Sequence, residues 1–507
     1  MPMGMINGGN GDKEIPLSQP CPAENMPPKK DQNISGAVEE ISSFMGYVKQ
    51  TLFDSEFFEA RGSLVSNSSG RIKHMLLQYN SRFMDINRHD LLKAYKILIT
   101  EMEPDTKFTV IVRDNADAAR LEKFIKEQIK PVNPDRIKII AADARISIWA
   151  RDLIISVLSD ENQLKVILPQ SEMDIHINEQ KVIENSGLRY DYSPLIIDGG
   201  NMQKDKEGNI WIGYDSIKNS ALKLFMEIPE DKELKNYFKR YYKKYIGKDL
   251  PEDFRLCKKE IIKELEEKII PEMIKRQFKL SKDKELYVIG KDNPETIDFK
   301  EDQPSFHIDM AITPLGSKTV IIGDPELAMN IIKDNKAQCL EDGKKMWEEQ
   351  LNGKSPKFDG FYAAEMVKSG PQIGSDINIV DALMSENSKL DLKMNFNQTV
   401  KEFEDKGFKA IRIPYLQGNA PKDWVGPTIL PFITYNNCII EEYINDKGEK
   451  IKKVYLPQYG ISALDNFACD TFEKIGYKVV KIPSMALISK NCGSIHCLVN
   501  DLERTEK

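Results

Sequence analysis

Little in this chain points to a membrane, a metal or a nucleic acid. No apolar run reaches the roughly 18 residues that a membrane helix needs. Residues 1–32 are rich in Gly, Pro, Asn and Lys and hold no apolar core of signal-peptide length. A soluble, cytoplasmic protein is therefore expected, with export by a leaderless route as the alternative. No Cys-x-x-Cys pair or zinc-type Cys/His spacing occurs, and no acidic loop has EF-hand spacing. Neither a metal nor another cofactor is expected. The seven cysteines (Cys21, Cys257, Cys339, Cys438, Cys469, Cys492 and Cys497) are odd in number and scattered. They suit free thiols in a reducing compartment better than a disulfide framework. A net charge of −7 leaves no overall basic footprint for nucleic acid. Histidine is scarce as well, with five in 507 residues.

What is present suits a large folded protein. Apolar residues make up 41% of the chain and charged ones 30%. A length of 507 residues predicts one large domain with additions, or two domains. Residues 1–33 offer too little apolar surface to offset the entropy of ordering, and read as a disordered leader. Residues 34–105 read as an N-terminal helical region: Ala37, Val38, Ile41, Phe44, Met45 and Val48 share a face, and Leu76, Leu91, Leu92, Tyr95 and Ile99 continue it.

From Thr106 the pattern alternates between strands and helices. Strands are predicted at 108–112, 137–141 and 153–158, with an amphipathic helix over 115–130. A strand, helix, strand, strand unit recurs. Its clearest copy is the last: 454–457, a helix over 464–475, 479–482, then a strand carrying His496 and Cys497. Weaker copies centre on 166–213, 286–333 and 400–442. Five such units suggest a repeat closed on itself. Turn chemistry at 205–209 and 445–449 predicts hairpins.

Residues 216–284 break this pattern with long charged helices over 231–246 and 251–279, and read as an insertion. Nineteen Lys and Arg stand there against thirteen Asp and Glu, a basic patch inside an acidic protein. Its cluster of Tyr237, Phe238, Tyr241, Tyr242 and Tyr245 faces either the protein's own interior or an acidic partner or membrane surface.

The candidate chemistry lies elsewhere. At 489–500 a small-residue turn runs into His496-Cys497 and then into apolar residues. Cysteine is the best side-chain nucleophile near neutral pH once its thiol pKa is lowered. Three further stretches put polar groups beside predicted strands: Trp149-Ala150-Arg151-Asp152, Asp198-Gly199-Gly200-Asn201 and Phe306-His307-Ile308-Asp309. In a strand, His307 and Asp309 would point to one face. Polar side chains on an apolar strand need partners, because burying them unpaired costs several kcal/mol. The double glycine lacks the spacing of a dinucleotide fingerprint.

Taken in order, WARD at 149–152, DGGN at 198–201, HID at 307–309 and GSIHC at 493–497 resemble the motifs of the guanidino-group-modifying enzymes. The likeness is nearest to agmatine deiminases and bacterial peptidylarginine deiminases, whose motifs run W-x-R-D, E-G-G, H-x-D and G-G-x-x-H-C. It covers residues 106–501 apart from the 216–284 insertion. Three positions depart from the pattern: Asp198 replaces the family's glutamate, Asn491-Cys492-Gly493-Ser494 replaces its glycine-rich turn, and Leu153-Ile154 replace a frequent Gly-Pro.

The resemblance implies an α/β fold, the five-bladed α/β propeller or pentein fold, over residues 106–507. It implies Cys497 as nucleophile, His307 as general acid and base, and Asp152 and Asp309 as the grip on a guanidinium. Asp198 would orient His307 or bind substrate. Trp149, Arg151, Gly199, Gly200, Asn201 and His496 would line the substrate. A guanidinium is flat and cationic, with five N–H donors in a fixed fork that two carboxylates can hold. The implied reaction turns a guanidino group into a ureido group plus ammonia, on a small molecule or on arginine in a protein. An amidinotransferase shares the same intermediate. A cysteine protease or acyl-transfer enzyme would leave Asp152 and Asp309 without work, and a non-catalytic effector would need no reactive side chains at these positions.

Overall fold

The computed structural model describes residues 58–81, 88–129, 133–144, 146–170, 179–227, 232–290, 303–351, 378–389, 392–418 and 430–505. The expected leader over 1–33 and the helical face from Ala37 to Val48 lie outside these residues. The described chain is a mixed α/β fold of five small sheets, each of three or four strands.

Every sheet is built the same way. Two strands form an antiparallel pair, and a third joins in parallel after a helical crossover. Ile155–Leu158 and Leu164–Gln170 are followed by Tyr190–Ile196, and Met202–Lys204 and Ile210–Gly213 by Leu286–Ile289. Ile312–Gly316 and Thr319–Asp324 are followed by Lys409–Leu416, and Ile439–Ile444 and Lys450–Pro457 by Lys478–Ile482. In the fifth sheet the last strand, Val499–Arg504, pairs antiparallel with Ile72–Tyr79, which pairs in parallel with Lys107–Val112. The two ends of the described chain therefore meet in one sheet.

Local sequence explains these elements. Lys107–Val112 is a β-branched and aromatic run buried after its first residue, as a parallel strand covered on both faces requires. Asp114 caps the helix Asn115–Gln128 by accepting a hydrogen bond from the Asp117 N–H at 2.9 Å. Both expected hairpin turns form, at 205–209 and 445–449, with Gly208 and Gly448 at positive φ.

Other expectations need correction. Leu76, assigned by pattern to a helical region, lies in the strand Ile72–Tyr79. That strand is buried over most of its length, and a fully buried segment shows no alternation to distinguish it from a helix. The segment 166–213 is not one repeat, because Val166 and Ile210 belong to different sheets. His496 and Cys497 occupy a turn ahead of Val499–Arg504 rather than a strand.

Helices Tyr214–Glu227, Lys232–Ile246, Lys258–Glu264 and Ile270–Gln277 stand between two strands that pair in parallel, Ile210–Gly213 and Leu286–Ile289. Phe238 and Tyr242 are buried among Ile217, Leu224 and Ile274. Tyr241 stacks on Phe58 with ring centroids 4.2 Å apart. These rings face the protein's own apolar surfaces. Among the described residues no helix is long and apolar enough to cross a membrane.

Candidate active site

Each sheet's first strand is preceded by a short polar segment. Residues 149–152 lead into Ile155–Leu158, 198–201 into Met202–Lys204 and 307–309 into Ile312–Gly316. Residues 436–437 lead into Ile439–Ile444, and 496–497 into Val499–Arg504. Direct contacts tie these five segments together.

The Cys497 sulfur lies 3.7 Å from Asp309 Oδ2. That same oxygen is 2.7 Å from His496 Nδ1, while Asp309 Oδ1 is buried without a hydrogen-bond partner. His307 Nε2 stands 3.5 Å from Asp198 Oδ2. Asp152 Oδ1 accepts the Gly200 N–H at 3.4 Å. Asn437 donates through Nδ2 to the Cys497 sulfur at 3.1 Å. Cys497, Asp309, His307 and His496 are all buried.

His307 and Asp309 come together differently from the strand expected. His307 is extended, and residues Ile308–Met310 form a single 3₁₀ turn. Asn201 fixes that turn, its Oδ1 accepting the Ile308 N–H at 3.2 Å and a Gln303 Nε2–H at 2.9 Å. The Phe306 ring centroid lies 4.7 Å from that of His307.

Gly200 is required by close approach. A Cβ there would fall 2.6 Å from His307 Nδ1 and 3.0 Å from Asp309 Oδ1, closer than real side chains come. Gly493 likewise leaves room for the Trp149 ring, which would be 2.6 Å from an added Cβ. Gly199 sits against the Arg151 carbonyl.

Two residues grouped by sequence with the substrate do other work. Arg151 points its guanidinium at Asp501 Oδ2 and the His496 carbonyl, each at 3.4 Å. Its backbone N–H donates to the Cys497 carbonyl at 3.1 Å. Asn201 spends its amide on the 307–310 turn and on Ser216. Both brace the site's walls. Asn500 adds a further brace, donating to the Ile154 carbonyl at 2.7 Å and accepting from Ser156 at 2.8 Å.

Sequence reasoning passed over Asn437. Its side chain is fully buried, and its Oδ1 accepts the backbone N–H groups of His496 at 3.0 Å and Cys497 at 3.3 Å. The available signal was its position, ahead of the first strand of the fourth repeat.

Burial and three carboxylates govern protonation. Burial, followed by the Asp309 carboxylate, pushes the Cys497 thiol up to about 12, while His307 opposes the shift. Burial alone would depress His307, but Asp152 and Asp198 outweigh it and hold the ring well above its ordinary value. Burial raises Asp152 to about 6, with Asp198 and Asp309 adding to the rise. Burial also keeps His496 below its ordinary value, so the ring is neutral near pH 7. The site thus holds a thiol, an imidazolium and a surplus of negative charge. A cation is the ligand it favours.

No family model matches the chain, and no curated protein matches it. Among solved structures, the chain is similar to the agmatine deiminase of C. jejuni at 13% identity and a TM-score of 0.46, covering 86% of this chain and 95% of that one. It is similar to the agmatine deiminase of Enterococcus faecalis at 13% identity and a TM-score of 0.44, covering 88% and 95%.

Proposed function

We propose that the protein is a deiminase that hydrolyses a guanidino group to a ureido group and ammonia. The observation that carries this reading is the setting of the Cys497 sulfur, 3.7 Å from an Asp309 carboxylate whose other oxygen is buried and unpartnered. An acyl-transfer enzyme has no use for two carboxylates bearing on its thiol and a third on its histidine. A flat cation with several N–H donors does. The fold would be the five-bladed α/β propeller of the guanidino-group-modifying enzymes, each of the five sheets a blade. The catalytic unit would then begin by Ser63 rather than at residue 106, since Ser63–Leu64 and Ile72–Tyr79 pair within its sheets.

Asp152 and the free Asp309 oxygen would take the guanidinium N–H groups and hold its carbon in front of sulfur. The substrate's positive charge offsets the carboxylates that keep Cys497 protonated, so the thiol gives its proton to solvent as substrate docks. The thiolate adds to the guanidine carbon. Its C–N bond breaks as the cationic His307 protonates the departing nitrogen and ammonia leaves. An S-alkylthiouronium remains on Cys497. The now neutral His307 takes a proton from water, the hydroxide adds to the same carbon, and the C–S bond breaks as the hydroxyl proton passes to solvent, giving the ureido product and the thiolate. Asp198 would hold the His307 ring in place throughout.

The substrate would be a small guanidine or arginine in a protein. The test is ammonia release and ureido formation from free and peptide-bound guanidines, with and without added amines. Ammonia and a ureido product without any amine support a deiminase. Turnover that requires an amine points to an amidinotransferase. Peptide cleavage with no ammonia refutes both.

A further inference from the structure

The repeat makes a demand that the four sequence motifs do not meet. They supply polar segments ahead of the first strands of four sheets, leaving one sheet without a contributor. The missing segment is 436–437, and it reaches the sulfur directly. We propose that Asn437 stabilises the thiolate form of Cys497 whenever the proton leaves and fixes its line of attack, and that this is the contribution of the fourth sheet to catalysis.

The orientation of the Asn437 amide is settled by its neighbours. Its Oδ1 receives two backbone N–H groups, from His496 and Cys497, and an N–H can only donate. The Nδ2 group must therefore face the sulfur, at 3.1 Å. A buried N–H aimed at sulfur favours the charged form of the thiol. The segment is anchored behind, where Asn436 Nδ2 donates to the Ile321 carbonyl at 3.0 Å and the Thr313 hydroxyl donates to the Asn436 carbonyl at 2.9 Å. Asn437 thus grips the nucleophile's backbone and its reacting atom at once.

Its neutrality matters here. The groups whose charge bears on Cys497 are Asp309 and Asp152, which oppose the thiolate, and His307, which favours it. Tyr459 from the segment after Lys450–Pro457 also lies within electrostatic reach, and His496 stands beside Cys497 bound to Asp309. Asn437 adds a donor without adding a charge, so it steadies the sulfur while leaving the site anionic for a cation.

This inference depends on Cys497 acting as a thiolate and not on which substrate it attacks. The test is the rate of iodoacetamide alkylation at Cys497 across pH 7 to 9, with fragment ions separating Cys497 from Cys492. Asn437→Asp keeps the oxygen that receives both backbone N–H groups and replaces the donor by a carboxylate. It is expected to alkylate at least tenfold more slowly at each pH. Asn437→Ala, which loses one charge-assisted hydrogen bond, is expected to slow by roughly tenfold. Asn437→Ser, which retains an oxygen for the backbone, serves if either variant melts below the assay temperature, and should slow similarly. Folded variants that alkylate at the native rate at every pH would overturn the proposal. Because no guanidine is present, a protein that deiminates nothing would still give a clear result.

Discussion

The Asp309 carboxylate is held at 2.7 Å from Nδ1 of His496 through the oxygen that also lies 3.7 Å from the Cys497 sulfur. A carboxylate can only accept, so Nδ1 carries the proton of this neutral ring. The hydrogen bond leaves Asp309 Oδ1 turned away from His496, buried and without a partner. His496 is therefore the group that aims Asp309. Replacing His496 by Ala should lower kcat by about 10²-fold through misplacement of the carboxylate, and Asp309→Asn by about 10² to 10³-fold through loss of the charge itself. Steady-state kinetics with unchanged thermal melts would check both.

The acid side of the pH profile should report Asp152. This carboxyl titrates at about 6 in the folded protein, raised chiefly by burial. Below that pH it is protonated and grips a guanidinium poorly. The expected kcat/KM falls roughly tenfold per pH unit below about 6. A profile that stays flat down to pH 4 would mean that Asp152 takes no part.

The same shift makes a statement about stability. A carboxyl whose folded pKa lies near 6, above its ordinary 3.8, stabilises the fold when protonated. That contribution is complete below pH 3.8 and is lost as pH rises through 6. Asp152→Asn should therefore be inactive yet more stable at pH 8, by about 1 to 3 kcal/mol, with the gain gone by pH 4. Thermal melts at the two pH values would show it.

Gly200→Ala should disable the site from the backbone side. The added methyl would lie 2.6 Å from His307 Nδ1, so the ring must move away from Asp198 and Cys497. A drop in kcat of at least about 10²-fold is expected, since small displacements of reacting groups cost that much. Native kinetics in this variant would show that His307 is not where catalysis needs it.

Much of the site was legible because reactive side chains in apolar surroundings need a reason to be there. His307 and Asp309 stood out on that ground and Cys497 as a potential nucleophile, while Asp152 and Asp198 were picked out by the family resemblance; the structure brings the five side chains into one neighbourhood. Arg151 and Asn201 could not be told from substrate-facing residues, because a buried arginine or asparagine needs partners whether it binds substrate or braces a loop. Asn437 escaped because Asn-Asn ahead of a strand reads as ordinary turn chemistry. The repeat was visible as an alternation, but its boundaries were not. Crossovers range from the single helix Ser462–Lys474 to the several helices of 214–277, so no fixed period marks where one sheet ends. That Val499–Arg504 closes onto Ile72–Tyr79 is a pairing between chain ends that local patterns cannot report.

The most direct measurement is the intact mass of the protein quenched in acid during turnover of a guanidine, with the modified residue located by fragmentation and Cys497→Ala as control. The prediction is an adduct on Cys497 equal in mass to the substrate less ammonia, absent from the alanine variant, which folds but makes no ureido product. Turnover with unmodified Cys497, or ureido product from the alanine variant, would contradict it.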